Sequence, residues 1–539
     1  MTRPSFNLTT EPWIPVLCTD GRSDVLSLLD VFRGSHTIRW VDAEAPPVTA
    51  ALHRLLLAVL HRSLDGPRNS QAWRELWKAE ELPAEPVQSY LDQHRAAFDL
   101  FDQQRPFLQS PALKSVTPRP AAQLVHYRSV GNNGTLFDHT TTSDPVRLPA
   151  AEAARWLVTV QCYDPGGTKT PYKTVKNSST GLGNKFGMVL VEGTNLKETL
   201  LLNACRYDPD FDQPWRSAYD DRPAWEDEPP LPTPDERQPH GWLDLLTWPA
   251  RRVLLHPTVD EHEPIVDGVV ITPGVTLKGE LSGVELMAAF ERPKPKSKKD
   301  TPPWTPVRLH ELRGIWRHAR KMLLAENEQQ RQRPRVLDHV TEQVEQETLP
   351  SDAVFTIRVF GQQLDDSGGG SVYAWLQEQL PAPAALLTAR HPWIGGVLGS
   401  CVALADEVGD ALTRLDTDCR RAFHAEYSAA AKRAAKHNVG LTQDFWPKLP
   451  PAFATLLLHL GRAVNEEISP QAAVREWRHT VREQAIKAAD QLTEQLRERQ
   501  ARHLYEIAGA HETFHRTLTD RCRTFDRRIT GHLPGDGGP

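Results

Sequence analysis

Apolar and polar residues divide the first 380 residues into short elements of both kinds. The run from Trp13 to Leu17 predicts a strand that ends at a turn. Apolar residues from Ala51 to Leu60 recur at three- and four-residue steps, which predicts a helix with one buried face. The segment 354–375 alternates around a glycine-rich turn, which predicts a β-hairpin with Gln362 and Gln363 near its tip.

The pattern between these elements is less regular. Helical periodicity fades from about residue 105 to 185, where loop-forming residues dominate. Loops of this length are usually functional or disordered. A basic amphipathic helix is predicted from about Leu309 to Gln330. We therefore expect a mixed α/β domain over residues 1–380.

From about residue 383 the pattern changes to long helical repeats. Ser469 and Pro470 form an N-cap and first-turn pair, and apolar residues from Val474 to Leu496 follow at helical spacing. Similar repeats cover 395–433, 445–464 and 503–528. Four helices with short links are typical of an antiparallel four-helix bundle. The chain is thus predicted to have an α+β fold, with this bundle at 381–530 and a disordered tail at 531–539.

Two segments concentrate charge of opposite sign. Residues 206–240 hold ten acidic residues against four arginines among many prolines, which predicts a solvated excursion. Residues 292–299 hold five Lys or Arg, and the prolines between them prevent a helix. An extended basic finger and a merely solvated loop both fit this second composition.

The overall charge excludes one class of protein. The chain has 539 residues, with 63 Lys and Arg against 69 Asp and Glu, and its net charge is −6. Such a chain does not coat nucleic acid by bulk charge, although a local basic site on an acidic body is compatible with these numbers.

Cysteine spacing and hydropathy indicate the compartment. The six cysteines include no CxxC pair, so neither a zinc finger nor a disulfide framework is predicted. No apolar run reaches the roughly 18 residues that span a bilayer, and the N-terminus lacks the apolar core of a signal peptide. We predict a soluble cytoplasmic protein without a membrane partner.

Motifs for catalysis are few. The stretch from His511 to His515 fits HExxH, in which two histidines share a helix face and Glu512 could act as a base. No third ligand is evident nearby in sequence, so a solvated or partner-facing helix is the preferred interpretation. The chain has no GxxxxGK[ST] loop and no GxSxG elbow. We predict no catalytic residue, metal or cofactor, with a metal-dependent nuclease or other hydrolase as the alternative.

Several short motifs follow one another in an order that is more specific than any one of them. They are EPWIPV (Glu11–Val16), RPFLQ (Arg105–Gln109), a GNNGTLFDHT loop, a DPGGTKTPY loop, the glutamine-bearing hairpin and the C-terminal helices. In this order, and over essentially its whole length, the chain resembles the CasA family of large subunits of type I-E Cascade. Cascade is the CRISPR RNA-guided surveillance complex.

The resemblance implies a non-enzymatic function in antiviral defence. In the family, the large subunit lies at the crRNA 5′ end, recognises the protospacer-adjacent motif (PAM) in the minor groove of duplex DNA, and starts unwinding and R-loop formation. The implied partners are the crRNA, PAM-bearing double-stranded DNA, the backbone and small subunits of Cascade, and a helicase-nuclease that degrades the target.

The resemblance also implies DNA-contacting residues. Gly166 and Gly167 match the family's glycine loop and are flanked by Thr168 and Lys169; backbone without side chains can approach base edges in the narrow minor groove. A family lysine that enters the same groove falls within the basic finger, at Lys294 or Lys296. An ordinary turn remains the alternative for the glycines.

Three further assignments complete the expected sites. Gln362 or Gln363 matches the family's glutamine wedge, which splays the first base pair below the PAM, although a solvated hairpin is the alternative. Phe137, with Asn133 in the same loop, matches a contact to the crRNA handle, with simple loop packing as the alternative. The cluster on the last helix is a DNA or partner surface or else a solvated helix face; its members are Arg521, Arg523, Arg527 and Arg528.

Overall fold

The computed structural model describes residues 4–127, 146–208, 210, 214, 220–293, 295, 301–310, 314–325, 330–365, 371–389, 391–423, 442–497 and 504–533. Its α-helices are α1 Leu28–Arg33, α2 Pro46–Leu64, α3 Ser70–Lys78, α4 Ala84–Gln93, α5 Ala150–Tyr163, α6 Leu196–Asn203, α7 Trp242–Leu246, α8 Ala319–Leu323, α9 Arg335–Glu345, α10 Ala384–Thr388, α11 Pro392–Phe423, α12 Thr442–Phe445, α13 Leu449–Val464, α14 Pro470–Arg497 and α15 Leu504–Thr530.

The strands are short and occur mainly in the first two thirds of the chain. They are β1 Ile14–Cys18, β2 Ser23–Leu26, β3 Ile38–Val41, β4 Arg119–Pro120, β5 Leu148–Pro149, β6 Gly167–Tyr172, β7 Val175–Ser178, β8 Met188–Glu192, β9 Asp235–Arg237, β10 Arg251–Asp260, β11 Glu263–Pro273, β12 Val275–Leu277, β13 Phe290–Glu291, β14 Thr305–Pro306, β15 Arg331–Gln332, β16 Val354–Leu364 and β17 Val372–Pro383.

The chain forms two compact units. Unit 1 comprises Met1–Glu311, Asn327–Leu349 and Thr356–Gln379, and unit 2 comprises Leu312–Glu326, Pro350–Phe355 and Leu380–Pro539. Unit 1 is mixed α/β, and the predicted mixed α/β fold with a helical C-terminal region is confirmed. Two segments that precede residue 381 thus belong to the helical unit.

Small antiparallel sheets organise unit 1. The longest pairing joins β10 and β11, and β4 and β5 add to the far side of β11. A second sheet has the order β17-β16-β8, with Ile357 opposite Val191. Most central residues of β10, β11 and β8 are buried, whereas β17 is accessible over most of its length.

Helix α2 crosses the interior of unit 1, so the prediction of a single buried face is wrong. His53, Arg54 and His61 are buried together with the apolar residues between them. The charge on Arg54 is compensated by Glu285, whose carboxylate lies 3.0 Å from the guanidinium. A helix can therefore bury its polar residues when each charge finds a partner of opposite sign.

Two other sequence predictions about helices fail. Helix α5 lies in the segment where no helix was expected. The sequence pattern did not reveal it because the helix is apolar on most sides and therefore lacks an amphipathic period. The helix predicted from Leu309 to Gln330 is reduced in the described residues to α8 and a short 3₁₀ turn that begins after Gly314. Glycine within a helix costs about 1 kcal/mol relative to alanine, which disfavours a continuous helix here.

The acidic segment 206–240 is only in part the predicted solvated excursion: most of its described acidic residues are exposed, but Asp208, Asp221 and Glu226 are not. Asp221 is buried and accepts hydrogen bonds from the backbone nitrogens of Leu243 and Asp244. Glu226 makes two hydrogen bonds to the Arg62 guanidinium, each 2.8 Å long. These acids fold into unit 1 because they cap a helix or pair with an arginine there.

Unit 2 is helical. Helix α11 packs along α14 and α15, and α14 also contacts α13. The apolar stripe predicted on α14 is buried from Val474 to Ala488, and Trp477 within it donates a 3.0 Å hydrogen bond from Nε1 to the carbonyl of Cys401. Trp316 and Phe453 pack against the same indole ring. Within the described residues, no helix is both long enough and apolar enough to cross a membrane.

Candidate nucleic-acid interface

The glycine loop predicted from sequence is the start of a two-stranded hairpin. We call residues 166–178, which contain β6 and β7, the glycine hairpin. Gly166 and Gly167 have φ angles of +84° and +80°, in the left-handed region that favours glycine. A Cβ atom on Gly166 would lie 2.9 Å from the backbone nitrogen of Thr180, so a side chain has no room there.

The far part of the glycine hairpin is exposed. Thr168, Lys173 and Lys176 are all exposed, and the hairpin narrows to a turn after Tyr172. Lys173 Nζ lies 5.7 Å from the centre of the Tyr172 ring. The exposed cations therefore lie toward the tip, while the two glycines lie at the base.

The buried carboxylate of Asp164 stabilises the two glycines at the start of the glycine hairpin. Asp164 Oδ1 accepts a 2.7 Å hydrogen bond from the backbone nitrogen of Gly166 and lies 2.7 Å from Lys169 Nζ and 3.0 Å from Arg251 Nη2. Burial opposes its ionisation, but Arg251 and then Lys169 hold the pKa of Asp164 well below its usual range. The carboxylate is thus charged at neutral pH and is matched by two cations.

Arg251 connects the two arms of the hairpin. Its side chain is 1% exposed, and Nη2 donates a 2.5 Å hydrogen bond to the carbonyl of Ser179 in addition to its contact with Asp164. Asp164 accepts a hydrogen bond from the backbone at the start of the hairpin, at Gly166, and Arg251 donates one to the backbone just after its end, at Ser179. The ion pair therefore fixes both ends of the hairpin. Lys169 is ion-paired and only 12% exposed.

The predicted glutamine hairpin reaches the same network. Asn184 donates 2.9 Å hydrogen bonds to the carbonyls of Tyr163 and Asp164. Gln362 Nε2 donates to the Tyr163 carbonyl at 2.9 Å and to Asn184 Oδ1 at 3.0 Å. Trp375 on β17 donates to Gln362 Oε1 at 3.0 Å. The glycine hairpin and the β16–β17 hairpin are therefore linked through buried hydrogen bonds inside unit 1.

The two adjacent glutamines have different environments. Both lie near the end of β16, close to the hairpin tip as predicted. Gln362 is buried, and its amide is engaged by Tyr163, Asn184 and Trp375, whereas Gln363 is half-buried. Successive side chains of a strand point to opposite faces, so burial of one glutamine directs the other away from this network.

His126 lies beside the network. The residue is half-buried, but both ring nitrogens are enclosed. Burial is the largest influence and lowers the pKa of His126 to about 4, with Lys169 and Arg251 acting in the same direction against the attraction of Asp164. The imidazole is therefore neutral at pH 7.

The other predicted nucleic-acid contacts are described in part. Phe137, Asn133, Lys294 and Lys296 lie outside the described residues. The residues that flank 294–300 are described: β13 pairs with β14, and the Arg292 guanidinium lies 4.4 Å from the centre of the Trp304 ring. This cation–π contact joins the two flanking segments.

The four arginines predicted as a cluster near the end of α15 are paired or hydrogen-bonded within unit 2. Arg528 and Arg521 lie 2.8 Å and 3.6 Å from the Glu407 carboxylate of α11. Arg523 pairs with Asp520 at 3.7 Å, and Arg527 donates to Thr524. Their side chains remain accessible, from 39% exposed at Arg521 to 72% at Arg523. We call these four residues the arginine face.

Sequence reasoning missed the residues that position the hairpins. They are Asp164, Asn184, Arg251 and Trp375. Only Asp164 carried a local signal, because an aspartate that precedes Pro-Gly-Gly is typical of a turn that its side chain stabilises. Arg251 is 87 residues away from Asp164 in sequence, and no local pattern connects the two.

Comparison with known proteins identifies the class as a CRISPR-associated protein. A family model described as CRISPR-associated protein Cse1 matches residues 7–488. The chain is 32% identical over 529 residues to CRISPR-associated protein CasA/Cse1 of Thermus thermophilus, in an alignment that covers 95% of this chain and 97% of that protein. The chain belongs to the Cse1 family.

Solved structures agree with this assignment. The crystal structure of Cse1 from Acidimicrobium ferrooxidans matches with a TM-score of 0.80 and 26% identity, covering 97% of this chain and all of that one. A chain from a CRISPR RNA-guided surveillance complex has the same fold, with a TM-score of 0.74 and 24% identity over 96% of this chain and 100% of its own.

Proposed function

We propose that the chain is the large, non-enzymatic subunit of a cytoplasmic RNA-guided antiviral complex that recognises the PAM and begins to unwind the DNA. Membership of the Cse1 family supports this function, as does the common fold with a chain of an RNA-guided surveillance complex. The partners in this proposal are crRNA, PAM-bearing duplex, the other Cascade subunits and a helicase-nuclease.

The observation that carries the proposal is the glycine hairpin. It is a narrow hairpin that carries exposed lysines; Asp164 and Arg251 fix its base, and Tyr172 near its turn packs against a buried cluster of unit 1. The minor groove is only about 6 Å wide, so a projection must be both narrow and firmly oriented to reach base edges within it. Exposed lysines add attraction to phosphates that does not depend on sequence.

The geometry divides the functions of the hairpin residues. Gly166 is enclosed by its own chain and Lys169 is paired with Asp164, so these two residues position the hairpin. Gly167 and Thr168 are accessible, as are Lys173 and Lys176. We assign minor-groove contact to Gly167 and Thr168 and phosphate contact to the two lysines.

Gln363 is the better candidate for the wedge. Insertion below the PAM requires an amide that can reach solvent; Gln362 is buried among its hydrogen-bond partners, whereas Gln363 is half-buried and follows it on the opposite face of the strand. Unstacking a base step costs a few kcal/mol, which PAM and backbone contacts must offset. The contacts proposed for Phe137, Asn133, Lys294 and Lys296 rest on the family resemblance, and the arginine face is proposed as a DNA or subunit surface.

Reconstitution with crRNA and the remaining subunits tests PAM recognition. We expect the complex to bind target duplex with a PAM at least tenfold more tightly than the same duplex with an altered PAM. The K173A/K176A double variant should weaken binding to both duplexes and reduce its salt dependence, because phosphate contacts are lost. A complex that binds both duplexes equally would contradict the proposal.

Separate measurement of PAM binding and strand opening tests the wedge. The Q363A variant should retain PAM binding and slow R-loop formation, which permanganate reactivity of unpaired thymines can follow. The matched Q362A variant should instead lower the stability of the isolated chain. If Q363A leaves strand opening unchanged, Gln363 is not the wedge.

The alternative of a metal-dependent nuclease or other hydrolase is tested on the isolated chain. We expect no cleavage of single- or double-stranded DNA with Mg²⁺, Mn²⁺ or Zn²⁺. Cleavage that is lost in an H511A/H515A variant would overturn the non-enzymatic assignment and favour the HExxH stretch as a catalytic site.

A further inference from the structure

The two histidines of the HExxH stretch meet an acid from a neighbouring helix. His511 and His515 are one turn apart on α15, and their ring centres are 4.5 Å apart. Asp490 on α14 places Oδ1 3.0 Å from His511 Nε2. One ligand atom from each of Asp490, His511 and His515 lies within 4.8 Å of the others, and among the described residues this is the one such group of three.

We propose that Asp490, His511 and His515 form a Zn²⁺ site that fastens α14 to α15. Zn²⁺ takes imidazole nitrogen and carboxylate oxygen at about 2.0–2.2 Å, which separates neighbouring ligand atoms of a tetrahedron by about 3.3 Å. The Asp490–His511 distance already approaches that value. Small side-chain rotations bring His515 to it, because the rings are accessible at the helix surface.

Two charged residues beside the group act on a bound cation in opposite directions. Arg482 near His515 opposes a bound cation, whereas the Asp490 carboxylate attracts one.

The position of the site suggests its effect on the fold. Asp490 lies about two turns before the end of α14, and His511 lies about two turns after the start of α15. A metal bound by both helices therefore links α14 to α15 near the end where the chain passes from one helix to the other. We call this link the clasp. Three protein ligands leave a fourth coordination position open.

Glu512 is not part of the group. It is exposed, and the three ligands are supplied without it. The proposal is therefore a structural metal site, and it stands independently of the function proposed above. Sequence reasoning found the two histidines but not the third ligand, because Asp490 comes from another helix.

Metal titration of the full chain tests the site. After treatment with a chelator, the wild type should bind one Zn²⁺, and Co²⁺ in its place should give the visible absorption of a low-coordinate site. H511A and H515A should each weaken Zn²⁺ binding at least tenfold. The matched control is H479A, at an exposed histidine of α14, which should bind as the wild type does.

The clasp itself is tested by D490N. Zn²⁺ should raise the Tm of the wild type and of H479A, and this rise should be largely lost in D490N. Equal stoichiometry and affinity in the wild type and an H511A/H515A variant would overturn the site. An undiminished Tm rise in D490N would overturn the clasp, because the metal would then be held by α15 alone. Circular dichroism in chelator checks that each variant is folded.

Discussion

Ion pairs occur both at the base of the glycine hairpin and along the arginine face of α15, but their surroundings differ. Asp164 and Arg251 are 3% and 1% exposed, and each has several partners. Glu407 and its arginines are 23% to 40% exposed. Buried pairs are costly to break, whereas exposed pairs contribute little and exchange readily with solvent. The buried Asp164–Arg251 pair is thus suited to fixing the position of the hairpin. The exposed arginines are accessible to the charges of another molecule.

Removing the buried carboxylate should have the largest effect. In D164N the Arg251 and Lys169 cations lose their partner, and we expect the free energy of unfolding to fall by about 3–5 kcal/mol. Urea denaturation followed by circular dichroism measures this. The matched control is D260N, whose partner Arg147 is exposed, and its cost should not exceed about 1 kcal/mol. Equal losses of unfolding free energy in D164N and D260N would contradict the distinction between buried and exposed ion pairs.

A side chain at the hairpin base should have the next largest effect. G166A combines a φ of +84° with a Cβ only 2.9 Å from the Thr180 nitrogen. We expect it to lose about 2–3 kcal/mol. G21A provides the control, since Gly21 has a φ of +87° but no atom within 4 Å of the added Cβ, and its loss should be about 1 kcal/mol. Equal urea midpoints would mean that crowding at Gly166 is unimportant.

Acidification should act on the buried region through His126. Its pKa is about 4 in the folded chain and 6.5 in the unfolded one, so the unfolded chain binds the proton first and stability falls as the pH drops through this window. At pH 5.5 the loss amounts to about 1 kcal/mol relative to pH 7.5. Unfolding free energies at both pH values should therefore differ less in H126Q than in the wild type.

The comparison between H126Q and the wild type isolates one group. His53, His61 and His339 are also buried with pKa values lowered to about 4, and burial is the main cause for each. Their contributions are common to both proteins and cancel in the difference. An unchanged pH dependence in H126Q would show that His126 is not neutral in the folded chain.

The smallest effect is expected on the arginine face. E407Q removes the partner of Arg521 and Arg528, and we expect a loss of at most about 1 kcal/mol that declines as salt is added. Thermal unfolding at low and high ionic strength measures it. A loss above about 2 kcal/mol that is insensitive to salt would show that Glu407 acts as a buried structural group.

Periodicity predicted the long helices and the β16–β17 hairpin, because repeated burial on one face leaves a regular pattern. It failed for α5 and for the interior of α2, where burial on all sides removes that pattern. The motif order predicted the family and located the glycine loop, but not that the loop begins a hairpin. The network of Asp164, Arg251 and Gln362 could not be predicted, since its members are far apart in sequence and meet only through the fold.

Tyr172 ties the glycine hairpin to the sheet beside it. Its side chain packs against a buried cluster of Leu113, Leu254 and Val270, and the last two belong to β10 and β11. A two-stranded hairpin alone is marginally stable at best, so this packing supplies support that the two strands of the hairpin do not provide. The hairpin is therefore attached near its turn as well as at its base, and loosening the β10–β11 sheet would also loosen the hairpin.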